Sequence, residues 1–284
     1  VTMRAPAIGW GVLLAVAAAA AFGGLAVQLA FAVVAIGVVG MAHGASDLAI
    51  VAPARRASFI ALYGLVGATC LWWWVADPAI ALPAFLIASA VHFGLEDAPE
   101  DRPLERVARG ISLVATPATL HMEALADILR LAGTTSAMAM AAAMAVAGGA
   151  AATWLLVCGL RCRDTRLLAG TVALIVLPPL VGFSVGFLIL HAVPQTVERR
   201  ARLGCATTAA YLRATAPVLV AALFLVVLAG GLLLRWDPSG VRPLFAGIAA
   251  LAVPHLLVTP WFEQAAVSLS LSDARTATSF RASV

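Results

Sequence analysis

Four of the five histidines in this 284-residue chain sit in or at the ends of long apolar runs: His43 in MAHGASDLAI, His92 in SAVHFGLEDA, His191 in LILHAVPQTV and His255 in AVPHLLVTPW. A polar side chain in such a segment is costly and is a functional candidate by default. One such histidine reads more simply as a packed, hydrogen-bonded residue. Four of them in a chain with only 11% charged residues point to a shared site. Neutral imidazole is the commonest ligand for iron, copper or zinc, and an all-nitrogen set without cysteine suits a redox metal such as iron while also admitting zinc.

The first two motifs share a form, His43-Gly44-x-x-Asp47 and His92-Phe93-Gly94-x-x-Asp97. Residues i and i+4 share a helix face, so Asp47, and Glu96 or Asp97, are placed to accept the second imidazole N–H of a ligand histidine and fix its tautomer. Gly44 and Gly94 would let another backbone or a substrate come close. The competing reading makes these carboxylates helix-end charges at the water interface. His121 falls in a segment expected outside the membrane and reads as an interfacial residue.

The elements that carry these residues follow from composition. With 63% apolar residues and a mean hydropathy of +1.01 the chain is an integral membrane protein, which excludes a soluble α/β enzyme, a nucleic-acid binder and a disordered tail. A span takes about 20 apolar residues, so the length allows roughly eight to ten, one broken or re-entrant, in a single integral membrane domain covering 1–284. The runs lack the alternation of a β-barrel, which leaves an all-α polytopic bundle. Spans are expected over 7–22, 25–42, 57–75, 79–95, 106–120, 137–159, 215–234 and 243–264, the first two being mature helices joined near Gly23–Gly24 rather than a secretory signal. Thr119–Gly133, with His121, Glu123, Asp127 and Arg130 among leucines, suits an interfacial amphipathic helix. Small residues such as Ala15–Ala21 and Met138–Ala152 predict close helix packing, and Cys70, Cys158, Cys162 and Cys205 match no metal or disulfide framework.

Leu167–Gln195, interrupted by Pro178 and Pro179, is either one kinked span or an entering and returning pair, and arginine placement decides between them. All 18 basic residues are arginine. With a cytoplasmic N-terminus and a double pass there, fifteen arginines fall inside and only Arg130, Arg235 and Arg242 outside; a single crossing gives eleven against seven. The positive-inside rule favours the double pass, with both termini cytoplasmic. That topology brings His43, His92 and His191 to the cytoplasmic half, with His255 heading the same way.

The set HGASD, SAVHFGLED, TPATLHMEAL, a late LH before a basic loop and PHLLV resembles the Brp/Blh family of membrane β-carotene 15,15′-dioxygenases, from about Gly40 to Trp261. The resemblance implies a non-haem Fe(II) site of histidines, oxidative cleavage of a polyene double bond by O2, and retinal supplied to a microbial rhodopsin as functional partner. His43, His92 and His191 match family ligands. Gln195 stands where the family carries a second histidine of an HSxxH pair, so either His255 completes the set or a water fills the position.

The leading expectation is thus a carotenoid-cleaving dioxygenase of a bacterial or archaeal cell membrane. Its catalytic residues are His43, His92 and His191, its metal ligands are these with His255, and Asp47, Asp97 and Gln195 support them. An apolar substrate would enter from the bilayer past Phe93, Phe183, Phe187 and Trp261, with Trp72, Trp73 and Trp74 as further aromatic candidates. The competing expectations are oxidation of another apolar polyene or lipid, suggested by Gln195, a haem-binding electron carrier, and a proton-coupled transporter or binding protein using Asp47, Asp97 and the histidines. The clustered histidine boxes of a membrane desaturase are missing.

Overall fold

Lipid leaves a chain of this apolarity only helices, and the computed structural model, which describes residues 7–281 with side chains over 9–263, is helical throughout with no strand among the described residues. In chain order the helices are α1 (Ala7–Ala21), α2 (Leu25–Val34), α3 (Asp47–Ile50), α4 (Arg56–Ala76), α5 (Pro78–Asp97), α6 (Pro103–Ala115), α7 (Ala118–Ala132), α8 (Ala137–Cys162), α9 (Thr165–Val176), α10 (Pro179–Phe187), α11 (Val193–Arg202), α12 (Thr208–Leu233) and α13 (Val241–Arg281). Among the described residues, 7 segments are long and apolar enough to cross a membrane, and two shorter apolar helices, Gly9–Ala21 and Thr165–Val176, accompany them. Two crossing segments are composite: Leu25–Ile50 runs from α2 through α3, and Pro179–Arg202 from α10 through α11.

The span expected over 106–120 is corrected. Helix α6 stops at Ala115, and α7 begins at Ala118. Pro117 has no N–H to give to a helical ladder. The Thr116 hydroxyl donates to the Gly148 carbonyl at 3.1 Å, and a Cβ at Gly148 would lie 2.4 Å from the Ala115 carbonyl carbon. The break therefore sits against the middle of α8, with α6 and α7 packed along its successive halves. Helix α7 is amphipathic as expected: Leu125, Ala126, Ile128, Leu129 and Ala132 are buried, while Glu123, Asp127 and Arg130 are exposed.

The proline pair makes a hairpin. Leu177 and Pro178 are extended, with ψ of 151° and 150°, so α9 ends there and the chain returns through α10, which packs back on α9 and is buried almost throughout. Two places depart from α-helical winding inside these long elements. Ala35–Val39 and Leu188–Ala192 are π-helical, and the first continues through tight 3-10 turns at Gly40–Ala42 and Gly44–Ser46. Such insertions are frequent at functional sites. The expected second span ends near residue 42; the chain instead keeps winding to Ile50.

Arg55 lies 4.5 Å over the Phe262 ring and Arg199 pairs with Glu263, which gathers three elements at one end. At the far end of α13, Gly133 (φ +117°) packs against Pro78 and Arg242, a position where a Cβ would come within 2.5 Å of the Pro78 side chain. Arg4 lies outside the described residues, and the side chains of Arg275 and Arg281 do as well.

Candidate metal centre

The two π-helical turns meet, and the histidines meet with them. His191 lies within the second turn and His43 follows the first. The turns touch at Gly40, where a Cβ would stand 2.5 Å from Phe187 Cε1. The His43 turn is tied down from both sides: the Tyr211 hydroxyl, fully buried, donates to the Ala42 carbonyl at 2.7 Å, and the Ser46 hydroxyl donates to the His43 carbonyl at 2.7 Å. His255 is carried by α13, which Pro254 loosens by removing one backbone N–H. The Tyr63 hydroxyl donates to the nearby Leu251 carbonyl at 2.8 Å.

The four imidazoles form a closed ring. Centroid separations are 5.0 Å for His43–His191, 5.2 Å for His191–His92, 5.5 Å for His92–His255 and 5.5 Å for His255–His43, all steeply edge to face. Imidazoles on one ion about 2.1 Å from each nitrogen would have centroids roughly 4.5–5.2 Å apart, so two of the separations fall in that range and the two to His255 lie about 0.3 Å beyond it. His43, His191 and His255 are buried.

Each of these three has its Nδ1 committed. His43 Nδ1 donates to the Gly40 carbonyl at 2.5 Å. His191 Nδ1 meets both oxygens of Asp97, at 2.9 and 3.1 Å. His255 Nδ1 meets Asp47 Oδ2 at 2.5 Å, and the Thr259 hydroxyl donates to that same oxygen at 2.8 Å. In a neutral imidazole the other nitrogen, Nε2, then carries the lone pair a metal needs. His255 Nε2 is buried with no hydrogen-bond partner among the described residues. An orphaned acceptor costs free energy unless a cation or donor meets it, so this donor set fits a metal.

The expected pairing is corrected for Asp47 and Asp97, while Glu96 keeps its i, i+4 place opposite His92. Asp47 serves His255 rather than His43, and Asp97 serves His191 rather than His92. The carboxylate facing His92 is Glu96, with Oε2 3.5 Å from His92 Nε2 and 4.0 Å from His191 Nε2. Gln195 is buried, and its amide donates to the Glu96 backbone carbonyl at 3.4 Å. Gly94 lets a backbone approach, since a Cβ there would lie 2.6 Å from the Arg106 carbonyl; at Gly44 it would lie 3.9 Å from His255 Nδ1.

Phe93 and Phe187 form an apolar wall, their rings 4.8 and 5.4 Å from that of His191, and Phe183 stacks on Phe187 at 5.9 Å. Trp261 is not brought to the site: it is 65% exposed on the outer face of α13. Trp72 also faces outward and Trp73 is exposed, while Trp74 is buried against Phe85 and Phe245. His121 stands apart from the ring, half-buried, with Nε2 3.0 Å from the Val176 carbonyl at the end of α9. The four cysteines are free thiols.

Thr259, Glu263 and Arg199 are absent from the sequence-based set. They complete two stripes at i, i+4 and i+8: His191 in the second π-helical turn with Gln195 and Arg199 on α11, and His255, Thr259 and Glu263 on α13. The Arg199–Glu263 ion pair joins the stripes at their ends. That spacing was available in the sequence and marks both helices as carrying one polar face.

A family model described as beta-carotene 15,15'-dioxygenase matches residues 34–263. That interval contains all four ring histidines. No curated protein and no solved structure matches the chain.

Proposed function

Because the chain belongs to the beta-carotene 15,15'-dioxygenase family, we propose that it cleaves the central double bond of β-carotene with O2 to give retinal, using Fe(II) held by His43, His92, His191 and His255. The observation that carries the metal reading is the closed ring of imidazoles with Nδ1 committed to acceptors on three of them. Iron supplies, when bound, the electron exchange that lets ground-state O2 react with a closed-shell hydrocarbon.

The chain's own residues orient and exclude. The Gly40 carbonyl, Asp97 and Asp47 hold the imidazole protons on the outer nitrogens, and Thr259 fixes Asp47 in turn. A polyene offers no hydrogen-bonding handle, so its placement falls to shape: Phe93 and Phe187 give a dry wall beside His191. Both oxygen atoms of O2 end in the two aldehyde groups, and no proton enters the balance. Substrate reaches the site from the lipid bilayer, and retinal passes to a retinal-binding rhodopsin. The same charge argument supports a cytoplasmic site in the inner membrane of a bacterium or archaeon, with both termini cytoplasmic.

A haem carrier needs an open slot for the flat macrocycle between two axial histidines, and a closed ring of four imidazoles 5.0–5.5 Å apart leaves none. Expression in cells that make β-carotene tests the reading: retinal accumulates with the wild-type chain and not with His92→Ala. Undiminished β-carotene in the wild type would overturn it.

A further inference from the structure

Around the ring, one oxygen points where nothing receives it. Glu96 Oε2 is shielded from solvent and has no hydrogen-bond partner among the described residues. It faces His92 Nε2 at 3.5 Å and His191 Nε2 at 4.0 Å, and ligand atoms of His92, Glu96 and His255 all lie within 4.8 Å of one another. His191 donates through Nδ1 to Asp97 and His255 through Nδ1 to Asp47. In the neutral imidazoles both Nε2 atoms are then acceptors, like the carboxylate oxygen that confronts them. Three lone-pair atoms converging without a donor repel one another in a medium of low dielectric. A cation among them turns that repulsion into binding.

We propose that the Glu96 carboxylate is itself a ligand of the metal, beside His43, His92, His191 and His255, so that the centre is a mixed imidazole and carboxylate site. The inference rests on the metal-centre reading above. Gln195, a helical turn beyond His191, leaves the ring to this carboxylate: its amide is spent on the Glu96 backbone carbonyl, which steadies the residue that points inward. One carboxylate in the ligand set cancels a unit of the ion's charge. Imidazole with carboxylate is also a donor combination that suits Fe(II), and five such ligands leave one position of an octahedral ion open for O2.

The test uses full-length protein in detergent, with Co(II) as a spectroscopic probe of the ligand set and Fe(II) in a chelator competition. Glu96→Gln is expected to weaken binding by at least about 100-fold and to shift the Co(II) visible bands, beyond the roughly 10–100-fold cost of losing a group that only orients a ligand. An infrared difference spectrum of wild-type protein labelled with carbon-13 glutamate, with and without Co(II), reads the same question without any variant. The expected result is a shift of a glutamate carboxylate band on metal binding. Wild-type Co(II) bands and affinity in Glu96→Gln, or no glutamate shift in a protein that binds Co(II), would overturn the assignment of Glu96 and leave the histidine centre standing. A wild-type chain that takes up neither metal would overturn both.

Discussion

Asp47 Oδ2 lies 2.5 Å from His255 Nδ1 across 208 residues of chain, although Asp47 stands four residues from His43. The carboxylate thus sets the orientation of an imidazole on another helix, and Thr259 locks it by donating to the same oxygen. Asp47→Asn keeps the size and loses the charge. It is expected to weaken metal affinity by about 10–100-fold with the chain still folded, measured by chelator competition. Thr259→Val should cost less, because the carboxylate keeps its imidazole. Unchanged affinity in Asp47→Asn would remove His255 from the centre.

Asp97 and His191 form the second crossed pair. A double-mutant cycle on metal affinity distinguishes this partner from the neighbour in sequence. Asp97→Asn should lose most of its effect in a His191→Ala background, since the proton it holds is gone. In a His92→Ala background the effect of Asp97→Asn should persist. Equal coupling to both histidines would contradict the pairing.

The four histidines that cluster were legible because a polar group in lipid needs a reason, and the family likeness rested on the same residues. The supporting pairings were not. A local i, i+4 rule joins Asp47 to His43, but the 3-10 turn at Gly44–Ser46 lies between the two and turns Asp47 off that face, while the π-helical turn at Ala35–Val39 resets the face upstream of His43. Apolar periodicity carries no mark of either event. The break at Thr116–Pro117 hid in a run apolar enough to read as one span, while Leu177–Pro179 was legible because two prolines leave a helix little choice. Arg199 and Glu263 look like ordinary helix-end charges until the two polar stripes are laid side by side.

The aromatic wall separates residues that touch the ring from those that do not. Phe93→Ala and Phe187→Ala remove rings 4.8 and 5.4 Å from His191, so each should cut β-carotene turnover by about tenfold or more while iron stoichiometry stays at the wild-type level. Trp261→Ala, on an outward-facing side chain 65% exposed, should leave turnover within about twofold. Retinal quantified per mole of bound iron reads all three. Loss of activity in Trp261→Ala with intact Phe variants would move the substrate path to the outer face of α13.

Helices α5 and α6 approach so closely that only hydrogen fits between them at Gly110, where a Cβ would lie 1.9 Å from the Ala90 carbonyl oxygen. Neither backbone can yield cheaply: α5 carries His92, Glu96 and Asp97, and Gly94 presses on the Arg106 carbonyl one turn further along. Gly110→Ala should therefore destabilise the bundle by about 1–3 kcal/mol or more through overpacking. The displaced α5 should also release metal before the bundle melts. Gly230, in α12, has nothing within 4 Å of its added Cβ, and Gly230→Ala should be neutral or stabilising by about 0.5–1 kcal/mol. Thermal melts in detergent, followed with metal release, compare the two. Matching melts would mean that α5 and α6 can move apart without cost, and that the position of His92 does not depend on their contact.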